Sequence, residues 1–176
     1  MTEIIKIPEE RISIIIGKNG QTKKKIEEKC GIRLRVRDDE VEISGDAENI
    51  FFALDVVKAI GRGFAPRKAL QLAKDDYALY VISLREALPT EKAIERMKAR
   101  IIGEKGKIKT EIESATESFV SVYGHTVAVI AKIDTIEYAK EALYKIIEGA
   151  PHSTVLSYLS KARREIMDSK FRYEVR

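Results

Sequence analysis

The sequence predicts an α+β protein built from two copies of one small domain, each a three-stranded antiparallel sheet packed against three helices, with a further C-terminal helix. Three observations carry that expectation. The chain repeats itself, each copy holds a Gly-x-x-Gly quartet between two helical stretches, and each quartet is followed by short runs alternating apolar and polar residues. Aligned without gaps, IIGKNGQTKKKIEEKCGIRLRV from Ile15 lies over IIGEKGKIKTEIESATESFVSV from Ile101, an offset of 86 residues. The match pairs Gly17 with Gly103, Gly20 with Gly106, Lys23 with Lys109 and Ile26 with Ile112, and it continues through Val41/Val127 and Ile60/Ile146. Two copies at so long a period make a duplicated domain rather than a solenoid. At 176 residues, each copy is only just long enough to bury a core of its own.

The elements follow in the same order in both copies. In the first, residues 3–7 form a strand, and Pro8 with Glu9 and Glu10 opens a helix where proline and acidic residues are both favoured. That helix stops at Gly17. Residues 21–29 form a second helix with Thr22, Ile26 and Cys30 on one face, closed by Gly31. Ile32, Leu34 and Val36 then alternate with Arg33, Arg35 and Arg37 as a half-buried strand, an acidic turn covers 38–40, and a strand covers 41–44. Asp46 is placed to cap a helix running to about Ile60, with Ile50, Leu54, Val57 and Ile60 or their neighbours inward.

The second copy has a strand at 77–84, a helix from an N-cap at Thr90 to Ile102, and a helix burying Ile108, Ile112 and Ala115. Strands at 119–122 and 126–131 flank a turn at Gly124, and residues 134–147 close the copy as a helix. A final helix, capped by Ser153, carries Val155, Leu156, Leu159 and Ile166 on its apolar side and exposes Lys161, Arg163 and Arg164. The expected division is residues 1–64 for the first domain, 65–76 for a linker with a short helix (67–73), 77–150 for the second domain, and 151–176 for the C-terminal helix and tail.

Composition narrows the function. With 44% hydrophobic and 34% charged residues and no low-complexity tract, the chain reads as folded and water-soluble. No apolar run approaches the roughly 18 residues of a membrane span, and the opening residues lack a signal pattern, so a cytoplasmic protein that contacts no membrane is expected. Cys30 is the only cysteine and reads as a small buried residue. With His125 and His152 it offers no metal-ligand spacing, no Ser-His pair or paired carboxylates define a catalytic site, and no cofactor is expected. His125 falls in a hairpin turn and reads as solvated; His152 falls at the entry of the last helix.

Net charge is only +4, but its distribution is uneven. From Arg11 to Arg37 there are nine basic and two acidic residues, and from Asp38 to Asp55 seven acidic and no basic ones, which suggests a cationic face backed by an anionic one. The quartets Gly17-Lys18-Asn19-Gly20 and Gly103-Glu104-Lys105-Gly106 each follow an Ile-Ile pair and lead into a helix. Glycine at both ends lets the main chain turn sharply and approach a ligand closely, and the helix N-terminus behind it suits a phosphate. Beside each loop, the isoleucines and the alternating strand form an aliphatic groove for unstacked bases. The residue types therefore point to single-stranded RNA. Lys23 and Lys24 make the first loop the more attractive to phosphate, whereas Glu104 opposes the cations of the second, Lys105, Lys107 and Lys109.

The order of elements and the paired loops resemble type I KH domains. RIIGEKGKIKTEIE (100–113), SVYGHTVAVI (121–130) and EGAPHSTVLSYL (148–159) make the pair similar to the archaeal and eukaryotic KH family known as partner of Nob, over nearly the whole chain. The resemblance implies a protein of small-subunit ribosome assembly, and the chain is expected to be non-enzymatic and monomeric. It further implies binding to rRNA near the 16S/18S 3′ end, help to the endonuclease that trims it, and contact with the alpha subunit of translation initiation factor two. Together, motif and resemblance nominate Ile16, Gly17, Lys18, Asn19, Gly20, Lys23, Lys24 and Arg35 in the first copy. In the second they nominate Arg100, Ile102, Gly103, Glu104, Lys105, Gly106, Lys107 and Lys109. The alternative is a protein-interaction scaffold whose KH grooves hold partner subunits.

Overall fold

The structure, a computed structural model, describes residues 1–174, with the side chain of Glu174 outside the description. Its contacts divide the chain into two compact units, residues 1–79 and 80–176.

The first unit runs β1 (Thr2–Lys6), α1 (Glu9–Ile16), α2 (Gln21–Cys30), β2 (Arg33–Arg37), β3 (Glu40–Ser44) and α3 (Ala47–Gly61). Its sheet has the order β1-β3-β2, antiparallel throughout, so β2 is an edge strand. One face carries Leu34, Val41 and Ile43 into the core, where they meet Ile15, Ile26, Ile50, Val57 and Ile60, all at most 2% exposed. Burying an isoleucine of this kind contributes roughly 2 kcal/mol, so this cluster is the main term holding the unit together. The other sheet face stays in water. Asp46 sits at the N-cap position of α3, yet its side chain makes no capping hydrogen bond. Leu54 is half-buried, and the inward positions fall to Ala53, Val56 and Val57. The segment expected as a linker folds onto this unit: α4 (Pro66–Ala69) and a 3-10 turn (Leu70–Ala73) pack on α3, burying Ala69 and Leu72.

The second unit contains β4 (Tyr77–Ser83), whose residues 77–79 fall within the first unit, then α5 (Leu84–Ala87), α6 (Glu91–Ile102), α7 (Lys107–Thr116), β5 (Phe119–Tyr123), β6 (Thr126–Lys132) and α8 (Ile136–Ile147). The sheet order, β4-β6-β5, repeats that of the first unit. Thr90 does cap α6, its Oγ1 accepting from the Ala93 amide at 3.1 Å. The short helix α5 has no counterpart in the sequence expectation. The closing helix begins at Ile136 rather than residue 134, because Lys132, Ile133, Asp134 and Thr135 form a turn in which the Thr135 amide donates to the Lys132 carbonyl. A last helix, α9 (His152–Glu174), lies along α7 and α8 through Val155, Leu159, Ala162 and Ile166, a helical stripe. Ser153 is therefore inside its first turn, not its cap. No helix among the described residues is long and apolar enough to cross a membrane.

Candidate nucleic-acid interface

Each quartet is a 3-10 turn joining two helices, and the two have the same backbone. Gly17 (φ 71, ψ 177), Asn19 (φ 53, ψ 30) and Gly20 (φ 72, ψ 12) are matched by Gly103 (φ 74, ψ 177), Lys105 (φ 52, ψ 28) and Gly106 (φ 75, ψ 12). The two glycines of each quartet serve different purposes. A Cβ on Gly17 would lie 2.2 Å from Thr22 Oγ1 and 2.9 Å from its amide nitrogen, and one on Gly103 would lie 2.5 Å from Ile108 Cγ1. The first glycine is thus needed for the loop to close on its own following helix, a packing reason rather than the ligand approach expected from sequence. A Cβ on Gly20 or Gly106 meets nothing within 4 Å. The second glycine, at the head of α2 or α7, faces open space, and the left-handed φ is its only internal requirement.

Lys18, Asn19, Glu104 and Lys105 are exposed, so both loops are open to water. Of each Ile-Ile pair only the second member is accessible. Ile15 and Ile101 are fully buried, while Ile16 and Ile102 are 37% and 36% exposed beside the loop. A glutamate braces the edge strand in each unit: Glu27 Oε1 accepts from the Leu34 amide at 2.8 Å, and Glu113 Oε1 accepts from the Val120 amide at 2.8 Å. This ties the helix behind the loop to the strand beside it and fixes the groove between them.

Charge distinguishes the two sites. Among the described residues Lys18, Lys23 and Lys24 make no ion pair. In the second unit Lys109, which corresponds to Lys23, is held by Glu113 at 3.5 Å; among the described residues Lys105 and Lys107, beside Glu104, make no ion pair. Arg100 is half-buried, and its guanidinium is engaged by main-chain carbonyls. Its Nη1 donates to the Ile146 carbonyl at 3.0 Å and its Nη2 to the Ala150 carbonyl at 2.6 Å, while its own carbonyl accepts from His152 Nε2 at 2.9 Å. Its guanidinium thus closes the C-terminus of α8, and we leave Arg100 out of the interface. Arg35 is exposed but projects from the open sheet face, away from the helix-covered side. The segregation of charge along the sequence does not become two faces in space, because Arg35 lies opposite Glu42 and Arg37 opposite Glu40 on the same face.

Away from its loop, the first groove turns acidic. A cleft of about 680 Å³ runs along α1 between Ile7, Pro8, Ile12 and Ile16 and the carboxylates of Glu9, Asp38 and Asp39. The corresponding positions of the second unit hold Glu95, Lys98, Ala99, Ile102, Gly124 and His125. His125 is not merely solvated: its Nε2 donates to Glu91 Oε2 at 2.7 Å, with Arg85 3.7 Å from the same carboxyl group. The His125 hydrogen bond holds the Glu91 carboxyl below its usual range. Cys30 is buried, and burial pushes its thiol up to about 11.

Residues 2–59 match the KH domain model and residues 78–164 match the "Eukaryotic type KH-domain (KH-domain type I)" model. A KH domain-containing protein of Methanocaldococcus jannaschii is 40% identical over 175 residues, covering 96% of this chain and 77% of that one. The chain belongs to the tandem KH, partner-of-Nob family. In the a/eIF2alpha-aDim2p-rRNA complex from Pyrococcus horikoshii, a chain 38% identical superposes with a TM-score of 0.87, covering 94% of this chain and 95% of that one. The pre-rRNA-processing protein PNO1 of Chaetomium thermophilum is 28% identical over 141 residues, 74% of this chain, which spans about half (54%) of that protein.

Proposed function

We propose that this chain is a non-catalytic single-stranded RNA-binding protein of small-subunit ribosome assembly. It holds rRNA near its 3′ end through the two quartets and assists the endonuclease that trims it. One observation carries the reading: two loops of identical backbone, each presenting a glycine with open space above it at the head of a helix. A phosphate placed there accepts from main-chain amides and meets the positive end of α2 or α7. Around the first loop Lys18, Lys23 and Lys24 add charge, and around the second Lys105 and Lys107 do, while Lys109 is shared with Glu113. Ile16 and Ile102 supply apolar contact for an unstacked base. The named relatives support the RNA class, since one is a pre-rRNA-processing protein and another is seen with rRNA and a translation initiation factor subunit. We extend the same alpha-subunit contact to this chain.

The test replaces Lys18 and Asn19, and Glu104 and Lys105, by aspartate. Asn19 and Lys105 already hold left-handed φ values, which aspartate tolerates, and all four side chains are exposed, so the fold survives. Affinity for a twelve-nucleotide piece of the small-subunit rRNA 3′ end is expected to fall at least a hundredfold. Equal affinity in the quadruple variant refutes the assignment. A second reading, in which the first groove holds a protein, is favoured by the carboxylates of Glu9, Asp38 and Asp39 at its far end. It requires that ribonuclease-treated extract still yield every partner.

A further inference from the structure

The outer face of the first sheet carries a feature that the quartets do not use. Arg33, Arg35 and Arg37 alternate along β2 with Leu34 and Val36, so all three guanidinium groups leave the same side, the side without helices. Each arginine is exposed. Alternate residues of a strand repeat at roughly 6.7 Å, which makes a straight row of three positive charges.

These arginines are not taken up by their neighbours. The register sets Arg35 opposite Glu42 and Arg37 opposite Glu40, yet neither arginine, nor Arg33, makes an ion pair or a side-chain hydrogen bond among the described residues. Glu40 is instead 3.6 Å from Lys6 on the far strand. The cations form the edge column of the sheet and the carboxylates its central column, so a ligand running along the edge meets charge of one sign.

The duplication supplies an internal control. At the 86-residue offset Arg33, Arg35 and Arg37 become Phe119, Ser121 and Tyr123, in a strand with the same length, place in the sheet order and glutamate brace. The sheet therefore forms without arginine at these positions, and their presence in one copy alone calls for a reason other than folding.

We propose that Arg33, Arg35 and Arg37 form a second contact track of the first domain, which grips the phosphates of single-stranded RNA as it leaves the groove and passes over the edge of β2. The proposal rests on the RNA-binding reading and deepens it. Arginine suits the role because its planar fork donates two parallel hydrogen bonds to phosphate oxygens. The Glu27 brace holds β2 against the helix that follows the loop, so the row lies on the strand that borders the groove.

The test is the full chain with Arg33, Arg35 and Arg37 all changed to serine, checked for an unaltered melting curve. Binding of the twelve-nucleotide rRNA 3′ piece is measured as a function of potassium chloride. For single strands each phosphate contact adds about 0.7 to the slope of log affinity against log salt. The expected result is a slope smaller by about 2 and an affinity at least tenfold lower at 0.1 M salt. The same slope in the variant and the unaltered chain overturns the proposal. Repeating the serine changes in the aspartate loop variant keeps the two readings apart. A residual salt-dependent affinity there that the serines abolish supports the row even if the loops contribute little. If the serines leave RNA binding intact but remove a protein captured from ribonuclease-treated extract, the face serves a protein and the proposal falls.

Discussion

Replacing each glycine of a quartet by alanine separates what the chain needs from what its ligand needs. At Gly17 the backbone (φ 71, ψ 177) is in a region that only glycine occupies readily, which costs alanine roughly 1–3 kcal/mol. The new methyl also lands 2.2 Å from Thr22 Oγ1 and 2.7 Å from its Cβ, an overpacking of about 1–3 kcal/mol because Thr22 sits in the first turn of α2 and cannot retreat. The sum is about 4 kcal/mol, close to a thousandfold in the opening equilibrium of α2. At Gly20 nothing lies within 4 Å, and alanine meets only the left-handed φ of 72, at roughly 1 kcal/mol. Gly103 and Gly106 repeat the contrast, with Ile108 Cγ1 at 2.5 Å from the first and open space around the second. Hydrogen exchange of the α2 and α7 amides reads each effect within its own unit. Gly17→Ala and Gly103→Ala are expected to lose protection by two to three orders of magnitude, Gly20→Ala and Gly106→Ala by about one. The latter pair should nevertheless bind RNA less well, because the methyl occupies the space the ligand takes. Equal protection losses at the two positions of a quartet refute the packing argument; full RNA affinity in Gly20→Ala with Gly106→Ala refutes the placement of the ligand.

Other consequences are as specific. Glu117 ends α7 with a left-handed φ of 52 where the first copy has Gly31, so Glu117→Gly should stabilise the second unit by about 1 kcal/mol in urea titration, less the small exposed pair with Lys170. Glu104→Lys should tighten binding to the rRNA 3′ piece several-fold at low salt, and the gain should vanish near 1 M potassium chloride, since an exposed charge acts through a screened field. Cys30 should resist iodoacetamide at pH 8 until the first unit unfolds. Because burial raises its folded pKa to about 11 from 9.0, the unfolded chain releases the proton first, so stability is full below pH 9 and declines from there toward 11. A Cys30→Ala chain should lose that alkaline decline; its persistence assigns the decline to other groups.

Much of the architecture was legible because it rests on local rules that a duplicated sequence states twice. The glycine stops, the alternation of Leu34 and Val36 with arginine, and the Thr90 cap each have a one-residue physical cause, and all three stand in the structure. What escaped was whatever depends on distant residues. Asp46 and Ser153 are good capping types, but the Asp46 side chain makes no capping hydrogen bond and α9 starts one residue before Ser153. Residues 65–76 read as a linker because the stretch from Gly61 to Pro66 marks a boundary, while Ala69 and Leu72 find a core only once α3 is in place. At the site, the quartets were plain, but the division of labour between their glycines needed the position of Thr22. Arg100 sits in a stretch resembling a binding motif, and only the carbonyls of Ile146 and Ala150 show that its guanidinium has main-chain partners.

Those two carbonyls explain how the duplicated domain keeps its shape while its sequence drifts. In the first unit Arg11 Nε donates to the Ile60 carbonyl and its Nη2 to the Phe64 carbonyl, both at 2.8 Å. Ile60 and Phe64 correspond to Ile146 and Ala150, the acceptors for Arg100, at the 86-residue offset. Yet Arg11 corresponds to Met97 and Arg100 to Ile14, so the two arginines stand three residues apart on the helix that leads into the quartet, α1 or α6. Three residues is nearly one helical turn, which leaves both side chains on the face turned toward the closing helix, and the long stem spans the difference along the axis. Ile60 and Ile146 lie in the last turn of α3 and α8, where each carbonyl also accepts from the Gly63 or Gly149 amide, while Phe64 and Ala150 lie just past the helix end. Either arginine position therefore ties the end of the closing helix to the turn that follows it. The acceptor is what the fold fixes and the donor is what the sequence may move, so an ungapped comparison finds the loops and overlooks the clamp that holds the helix leading into each of them.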